Sequence, residues 1–250
     1  MTVALYEFPL CEKVRNYLRL EQLFQQLKEA RHAKTAHQHL YFFKTLFDLI
    51  ELIERLDLRT DFVRDIDSQE RNLVHWSQHP DIDKDALDRA LKSLHKLLGE
   101  IKQINKLGSG IKEERFLSNI RQRFAIPGGV TSFDLPSLFC WIRQPQENKD
   151  QEIDRWISHL NLVEESVTLI MTFLRERGRF ETVIGKNGFY QGNVADKAEL
   201  IRVQCDNTQG YYPVLSGNTY RYGIKFMRLH PEAGTTGAVA NNISFELARC

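Results

Sequence analysis

The side chains whose types and spacing could do chemistry in this sequence are basic, and most of them fall in segments with helical periodicity. Arg15 and Arg19 are four residues apart, so they would share one face of a helix. Arg55 ends another apolar-periodic segment. A third set follows three- and four-residue spacing: Lys112, Arg115, Asn119 and Arg123. Guanidinium groups bind carboxylates through two parallel hydrogen bonds, so several of these residues together would form a groove for an acidic peptide.

Arg221 and Lys225 lie on a predicted strand. Residues 220–227 alternate with period two, which places four side chains on one face: Tyr220, Tyr222, Ile224 and Phe226. Arg221, Gly223 and Lys225 then share the opposite face. Each cation alone is explained as a solvated surface residue, so a cationic groove requires the fold to bring several together. Single-stranded nucleic acid is the alternative ligand, held by the basic helix 112–123, because Tyr and Phe side chains lie nearby.

Motifs for metal binding or catalysis are weak or absent in the sequence. His75 and His79 have the spacing of metal ligands on a helix, but no third ligand is evident and Pro80 would end the helix there. Acidic residues between positions 61 and 70 alternate with arginines, which is typical of an ion-paired, solvated helix face. We find no phosphate-binding glycine loop and no nucleophile elbow. We therefore predict no enzyme activity, no catalytic residue, no metal site and no cofactor.

The composition is typical of a soluble globular protein. The chain has 250 residues, 42% hydrophobic and 27% charged, with a formal net charge of +1, which argues against broad phosphate binding. Four scattered cysteines show no paired spacing, so we expect reduced thiols: Cys11, Cys140, Cys205 and Cys250. Neither a signal-peptide pattern nor a membrane-spanning apolar run occurs, and we predict a cytoplasmic protein without membrane insertion.

Helical periodicity dominates residues 1–178. Apolar residues recur near every 3.6 positions in several segments: 12–27, 39–56, 62–76, 87–101, 111–124, 135–142 and 153–174. Thr60 is the expected N-cap of the third segment. The helix-breaking residues 80–83 precede the start of the fourth. The last segment is a long stripe that we expect to be almost wholly buried. These segments predict a mainly helical domain over residues 1–178.

The pattern changes to strands after residue 178. Period-two segments separated by turn residues cover 189–191, 200–205, 211–215, 220–227 and 243–247. Lys186-Asn187-Gly188 predicts a tight turn, and residues 231–242, rich in Gly, Thr and Ala, predict a mobile loop. The predicted fold class is therefore α+β, with the helical domain followed by a small antiparallel β-sheet domain over residues 179–250.

Pro127-Gly128-Gly129 interrupts the basic helical segment. Proline removes a backbone donor and glycine opens backbone conformations closed to other residues, so the interruption fixes how two helices meet. Asp134 is the expected N-cap of the helix that follows, with Pro136 in its first turn. Because arginines flank the break, the segment is typical of a docking surface and carries nothing typical of a catalyst.

Three segments in order resemble the ZapD family of bacterial cell-division proteins. The first, residues 7–21, contains Phe8-Pro9-Leu10 and the first basic pair. The second covers residues 114–123 and continues through the Pro-Gly-Gly break to residues 132–136. The third is residues 187–191, with residues 221–227 after it. The resemblance extends over essentially the whole chain, and the combination is far more specific than Pro-Gly-Gly alone.

The resemblance implies an adaptor. Members of the family are dimers that bind the short C-terminal tail of the tubulin-like protein FtsZ and bundle FtsZ filaments at the mid-cell division site. Their binding surface is basic, and carried over by position it falls on Arg19, Arg55, Arg115, Arg221 and, conservatively, Lys225. Arg15, Arg123 and Phe139 are further candidates. The implied partners are FtsZ and a second copy of this chain, and no nucleic acid.

Two positions depart from the family's pattern. Cys11 stands where relatives usually have Asn before the first helix, which should weaken that N-cap by about 1 kcal/mol. Phe139 stands where some relatives have a polar aromatic residue near the tail site. A core position is the alternative interpretation for Phe139.

Overall fold

The computed structural model describes residues 3–76, 83–193, 198–218, 220–230 and 236–250. Its helices are α1 (Glu12–Ala30), α2 (Ala36–Arg55), α3 (Leu58–Trp76), α4 (Lys84–Gln103), α5 (Ser109–Lys112), α6 (Arg115–Phe124), α7 (Pro136–Ile142), α8 (Gln146–Ser158) and α9 (Asn161–Glu176). Its strands are β1 (Val3–Pro9), β2 (Glu181–Gly185), β3 (Phe189–Asn193), β4 (Leu200–Asp206), β5 (Tyr211–Gly217), β6 (Arg221–Arg228) and β7 (Ile243–Arg249). The predicted α+β fold class is confirmed: a mainly helical region is followed by two small antiparallel sheets.

The chain forms two compact units that interleave along the sequence. The helical unit comprises residues 19–170, and the β unit combines residues 1–18 with residues 171–250. The division falls inside α1 and α9, so each of these helices begins in one unit and ends in the other. A domain boundary at residue 178, where the sequence periodicity changes, stays a prediction.

The core of the helical unit is an aromatic cluster built around α2. Thr35 and Gln38 form a capping box that starts this helix: the Gln38 amide donates to Thr35 Oγ1 over 3.3 Å, and the Thr35 amide donates to Gln38 Oε1 over 3.0 Å. Phe43, in the middle of α2, is fully buried. Its ring centroid lies 5.0 Å from that of Trp141 and 5.7 Å from that of Trp156. These packed rings fix the positions of the helices around them.

The β unit is two sheets packed face to face. One sheet has the strand order β1-β4-β7-β2 and the other β3-β6-β5, with every neighbouring pair antiparallel. Both sheets contribute to one apolar core, in which Val203 of β4, Phe226 of β6 and Phe245 of β7 are buried. The Phe226 and Phe245 ring centroids are 5.0 Å apart, so the two sheets are in direct contact.

Strand β1 was not predicted from the sequence. It pairs with β4 in a register that places Val3 opposite Asp206 and Glu7 opposite Arg202. The Glu7 carboxylate accepts hydrogen bonds from Arg175 of α9, at 2.7 and 2.8 Å, and from Arg202, at 3.0 Å. Burial alone would raise the pKa of Glu7, but these two guanidinium groups outweigh it and lower the pKa. The largely buried network therefore ties β1 to α9 and β4.

Several predicted helix boundaries are wrong. The segment predicted as one helix over residues 111–124 is two helices, because α5 ends at Lys112 and α6 begins at Arg115. The buried stripe over residues 153–174 is likewise divided between α8 and α9. At the start of α3 the Thr60 amide donates to Asp57 Oδ1 over 3.4 Å, so Asp57, and not Thr60, supplies the capping acceptor.

The Pro-Gly-Gly break is a tight turn. Gly128 has φ +73°, and the Gly129 amide donates to the Ile126 carbonyl over 2.9 Å, which is the pattern of a type II turn with proline at its second position. Asp134 is not the N-cap of α7: that position is Leu135, with Pro136 first in the helix. Asp134 instead accepts a 2.8 Å hydrogen bond from Thr131 Oγ1. The prediction of its capping role was therefore wrong.

The turns of the β unit follow the predictions in part. Asn187 and Gly188 both have positive φ, at 51° and 68°, and form the predicted tight turn before β3. The predicted loop over residues 231–242 is described only from residue 236. There the Val239 amide donates to the Phe226 carbonyl over 3.0 Å and its side chain is buried, so this part of the loop is packed against β6. Among the described helices, none is long and apolar enough to cross a membrane.

Candidate functional site

Two aromatic side chains hold one face of helix α6 on the core. Phe116 stacks on Trp156 with ring centroids 5.7 Å apart, and Phe124 lies 6.1 Å from Phe43. Arg115 is the first residue of this helix and is exposed. Within the described ranges it has no carboxylate partner. Arg115 is therefore a cation on a rigid element that is available to an acidic ligand.

The other cations near α6 are already paired with carboxylates. Arg121 donates two hydrogen bonds to Glu54 of α2, at 3.0 and 3.1 Å, and Lys112 Nζ lies 3.0 Å from the same carboxylate. The hydrogen bond from Arg121 and the contact with Lys112 lower the pKa of Glu54. Arg123 pairs with Asp134 at 3.8 Å. Of these four cations, Arg115 alone forms no ion pair among the described residues, which does not favour phosphate binding by residues 112–123.

Arg55 lies at the end of α2 and pairs with Glu51 one helical turn earlier. Glu51 and Glu54 line a cavity of about 530 Å³ between α2 and α5–α6, with Phe47, Ile50 and Leu117 among its apolar lining residues. Lys112 and Arg121 also line it. The cavity in the helical unit is thus bordered by carboxylates that balance its cations.

The two candidates on α1 are exposed. Arg15 pairs with Glu12 one turn earlier, at the start of the helix. Arg19 is exposed on the same helix. The predicted N-cap position, Cys11, donates from Sγ to Glu199 over 3.7 Å, and burial raises the pKa of the thiol.

Phe139 lies on the surface of α7 and is not part of the core. Its ring is partly exposed, and the Arg143 guanidinium carbon stands 3.4 Å from the ring centroid. The Arg143 side chain also donates to the Phe139 carbonyl over 3.1 Å. The core interpretation of Phe139 is therefore wrong, and its ring carries a cation on its face.

Strand β6 places Arg221 and Lys225 on the exposed face of the three-stranded sheet. Tyr222, Ile224 and Phe226 alternate with them and are buried, as the period-two pattern predicts. Tyr220 is the exception: it precedes the strand and is 80% exposed, so its placement with the buried set was wrong. Neither Arg221 nor Lys225 forms an ion pair within the part of the chain that the structure describes.

The predicted site residues divide between the two units. The helical unit holds Arg19, Arg55, Arg115, Arg123 and Phe139, and the β unit holds Arg15, Arg221 and Lys225. Their combination into a single groove stays a prediction. Glu51 and Glu54 were missed as partners of the basic residues. Glu51 could have been found because it is four residues before Arg55, whereas Glu54 meets Arg121 only through the tertiary fold.

His79, one of the two histidines with the spacing of metal ligands, lies outside the described residues. Within those ranges, no group of three or more His, Cys, Asp or Glu side chains is arranged to hold a metal ion.

Comparison with known proteins gives one consistent result. The sequence profile of the family described as "ZapD: Cell division protein" matches residues 18–225. The chain is 39% identical to the cell division protein ZapD of Yersinia enterocolitica over 249 residues, covering 100% of this chain and 98% of that protein. It is 39% identical to the protein of the same name from Idiomarina loihiensis, over 98% of this chain and 96% of that one. For the Photobacterium profundum protein the identity is 38%, over 98% of both chains.

Proposed function

Because this chain belongs to the ZapD family of cell division proteins, we propose that its part in cell division is to bind the C-terminal tail of FtsZ. The proposed contacts are charge-assisted hydrogen bonds from Arg19, Arg55, Arg115, Arg221 and Lys225 to carboxylates of the tail. Arg15, Arg123 and Phe139 are further candidates. The protein would act in the cytoplasm, be recruited to the mid-cell division site, and have no catalytic role.

The observation that carries this proposal is the pairing state of the cations. Most arginines described above are neutralised within the chain, but Arg115, Arg221 and Lys225 are exposed and have no carboxylate partner among the described residues. An exposed cation without a partner attracts an acidic ligand, and it loses no internal ion pair on binding. The net charge of +1 restricts this attraction to local surfaces.

A dimer completes the proposed mechanism. One short tail bound to one basic surface should bind weakly, in the micromolar range as an order of magnitude. A two-fold dimer carries two such surfaces, and a filament displays many tails, so a dimer would crosslink neighbouring filaments. Light scattering coupled to size exclusion should then give twice the 29.2 kDa mass of one chain.

Co-sedimentation with polymerised FtsZ tests the proposal directly. Polymers with and without the C-terminal tail are pelleted in the presence of this protein, at low and high salt. We expect pelleting with intact polymers only, and less of it at high salt because surface charges are screened. Equal pelleting with both polymers would place the contact on the filament body. Binding that is indifferent to salt would contradict the electrostatic part.

Arginine substitutions identify the residues involved. Arg115→Ala and Arg221→Ala should each weaken binding of the isolated tail about tenfold, as expected for one charge-assisted contact of about 1.4 kcal/mol. Arg89→Ala, which removes an exposed arginine from α4, is the control for the loss of one positive charge. The thermal unfolding midpoint should not change in any variant. A fall in that midpoint would mean that the arginine is structural.

A further inference from the structure

The exposed face of the three-stranded sheet carries basic side chains and no acidic side chain from its own strands. Strands β3, β5 and β6 contain no Asp or Glu, whereas β6 places Arg221 and Lys225 on this face. The whole chain, by contrast, has 34 basic and 33 acidic residues. This sheet is therefore a cationic surface in a nearly neutral protein.

Apolar side chains stand between the cations on this face. The strand register places Phe189 of β3 and Val214 of β5 on either side of Lys225. Phe189 is 47% exposed and Val214 is 43% exposed. Because these two partly exposed apolar side chains lie on the same face, together they form a candidate contact for a partner.

Gly223 allows the Phe189 ring to lie across β6. A methyl group at position 223 would be 3.1 Å from Phe189 Cε2 and 3.2 Å from Cζ, so the ring occupies the space that a side chain at 223 would fill. Because Gly223 is midway between Arg221 and Lys225, the ring forms an apolar surface between the two cations. At about 3.3 Å per residue, those cations are roughly 13 Å apart along the strand.

We propose that this face, defined by Phe189, Val214, Arg221, Gly223 and Lys225, binds an extended acidic peptide that carries an apolar side chain flanked by carboxylates. This inference rests on the proposed function and extends it, since the peptide would be the FtsZ tail. Arg221 and Lys225 pair with the carboxylates, and the apolar side chain packs on the Phe189 ring above Gly223. Phe189 is thus the residue that selects for an apolar side chain, in addition to charge.

Charge complementarity favours an acidic peptide over the other occupants. A second copy of this chain would have to present an acidic face to this surface, and a nucleic acid would meet only two cations across about 13 Å, which neutralise few phosphates. An acidic segment with one apolar side chain matches both the charges and the exposed ring. The other two occupants are outcomes of the test below.

The test measures binding of a fluorescently labelled FtsZ tail peptide by anisotropy. Full-length wild-type protein is compared with Phe189→Ala, Gly223→Ala, Arg221→Ala and, as a matched exposed aromatic residue in the helical unit, Tyr41→Ala, where Tyr41 is 48% exposed. A second peptide has the apolar side chains of the tail replaced by serine. Thermal unfolding of each variant shows whether it is folded.

Phe189→Ala should weaken binding of the tail about tenfold, by the same factor at low and high salt, because an apolar contact is not screened. Gly223→Ala should cause a smaller loss, since the new methyl group displaces the ring and leaves every charge in place. Phe189→Ala should not change the affinity for the serine peptide. In a double-mutant cycle this result appears as a coupling free energy between the Phe189 ring and the apolar side chains of the tail. Tyr41→Ala should bind as the wild type does.

Each of the other possible results contradicts either the proposed function or this inference. If Arg221→Ala weakens binding and Phe189→Ala does not, the proposed function stands and this inference fails. If the wild-type protein does not bind the tail, the proposed function fails, and this inference with it. A single-stranded oligonucleotide that binds in a Phe189-dependent manner while the tail does not would assign the face to nucleic acid. Concentration-dependent self-association lost in Phe189→Ala would assign it to a second copy.

Discussion

Glu51 holds Arg55 in an ion pair that an acidic ligand of Arg55 would have to replace. Both side chains are exposed, and such i,i+4 pairs stabilise a helix by only about 0.3–0.5 kcal/mol. Replacing the Glu51 carboxylate by a carboxylate of the ligand therefore costs little free energy. Arg115 needs no such exchange, since it forms no ion pair in the described ranges. Two candidate cations of the helical unit thus differ in how they would meet a ligand.

Removing the carboxylate of Glu51 should strengthen tail binding. In Glu51→Gln the Arg55 guanidinium loses its ion pair and a nearby negative charge disappears, while the amide oxygen still accepts a hydrogen bond, so we expect affinity for the tail to rise about two- to fivefold. Asp88→Asn is the matched control, because Asp88 forms the same kind of pair with Lys92 on α4. Anisotropy of the labelled tail peptide measures both. Unchanged affinity in Glu51→Gln would remove Arg55 from the binding surface.

His39 is a buried residue whose polar atoms have no partner. Its imidazole lies 5.3 Å from Trp141 by ring centroids, and neither ring nitrogen forms a hydrogen bond within the described part of the chain. Burial, together with the positive charge of Lys149, lowers the pKa of His39 to about 4. The folded protein therefore holds the imidazole neutral at pH values where an unfolded chain would protonate it.

Stability should fall between pH 6.5 and pH 4 because of this histidine. The pKa of His39 in the unfolded chain is near 6.5. Between that pH and about 4, the unfolded state therefore binds a proton at His39 and the folded state does not. The loss should approach about 3 kcal/mol near pH 4, since each pKa unit corresponds to about 1.4 kcal/mol. Denaturant unfolding across this range measures it. His39→Phe should flatten the profile, and an equally steep profile in that variant would contradict the assignment.

At the scale of elements, the Pro-Gly-Gly turn uses its two glycines for different reasons. Gly128 needs its positive φ, while a methyl group there would meet open space among the described residues. Gly129 has no unusual φ, but a methyl group would lie 2.6 Å from the Arg123 carbonyl oxygen, on backbone that cannot move away easily. The turn therefore lets the chain pass close to the end of α6.

Alanine at the two positions should have unequal effects. Gly128→Ala should cost about 1–2 kcal/mol of unfolding free energy from the left-handed backbone, and Gly128→Asn less, because asparagine tolerates that conformation. Gly129→Ala should cost about 2–3 kcal/mol, since α6 has to shift. Chemical denaturation gives all three values. If Gly128→Ala lowered the unfolding free energy more than Gly129→Ala, the close approach of residue 129 to the Arg123 carbonyl would not be a constraint.

The sequence predicted elements whose signal is local. The helices follow from 3.6-residue periodicity, and β6 from its alternation, whereas β1 was missed because its partner β4 lies near residue 200. The same distinction holds at the candidate site. Exposed basic residues such as Arg221 could be picked out by spacing and by resemblance, but the pairing of Glu54 with Arg121 spans 67 residues and depends on how α2 and α6 pack. The overlap of the Phe189 ring with Gly223 is likewise visible only in three dimensions.

At the scale of the whole molecule, the proposed function depends on two weak sites acting together. The apparent affinity for intact filaments should exceed that for the isolated tail peptide by roughly 10²–10⁴, because the second capture is intramolecular. Titrated co-sedimentation and peptide anisotropy give the two values under the same salt conditions. Excess free tail peptide should dissolve preformed bundles. Equal affinities for peptide and filament would show that each molecule engages only one tail.

The pairing of β1 with β4 also sets an order of events during synthesis. The ribosome makes β1 about 200 residues before β4, which at about 5–20 residues per second is a delay of roughly 10–40 s. Residues 19–170 are contiguous and can fold during that time, whereas β1 and the first turns of α1 have no partners yet. The nascent chain would therefore carry a finished helical unit beside an unpaired apolar strand, and that strand is where a ribosome-associated chaperone would be expected to bind.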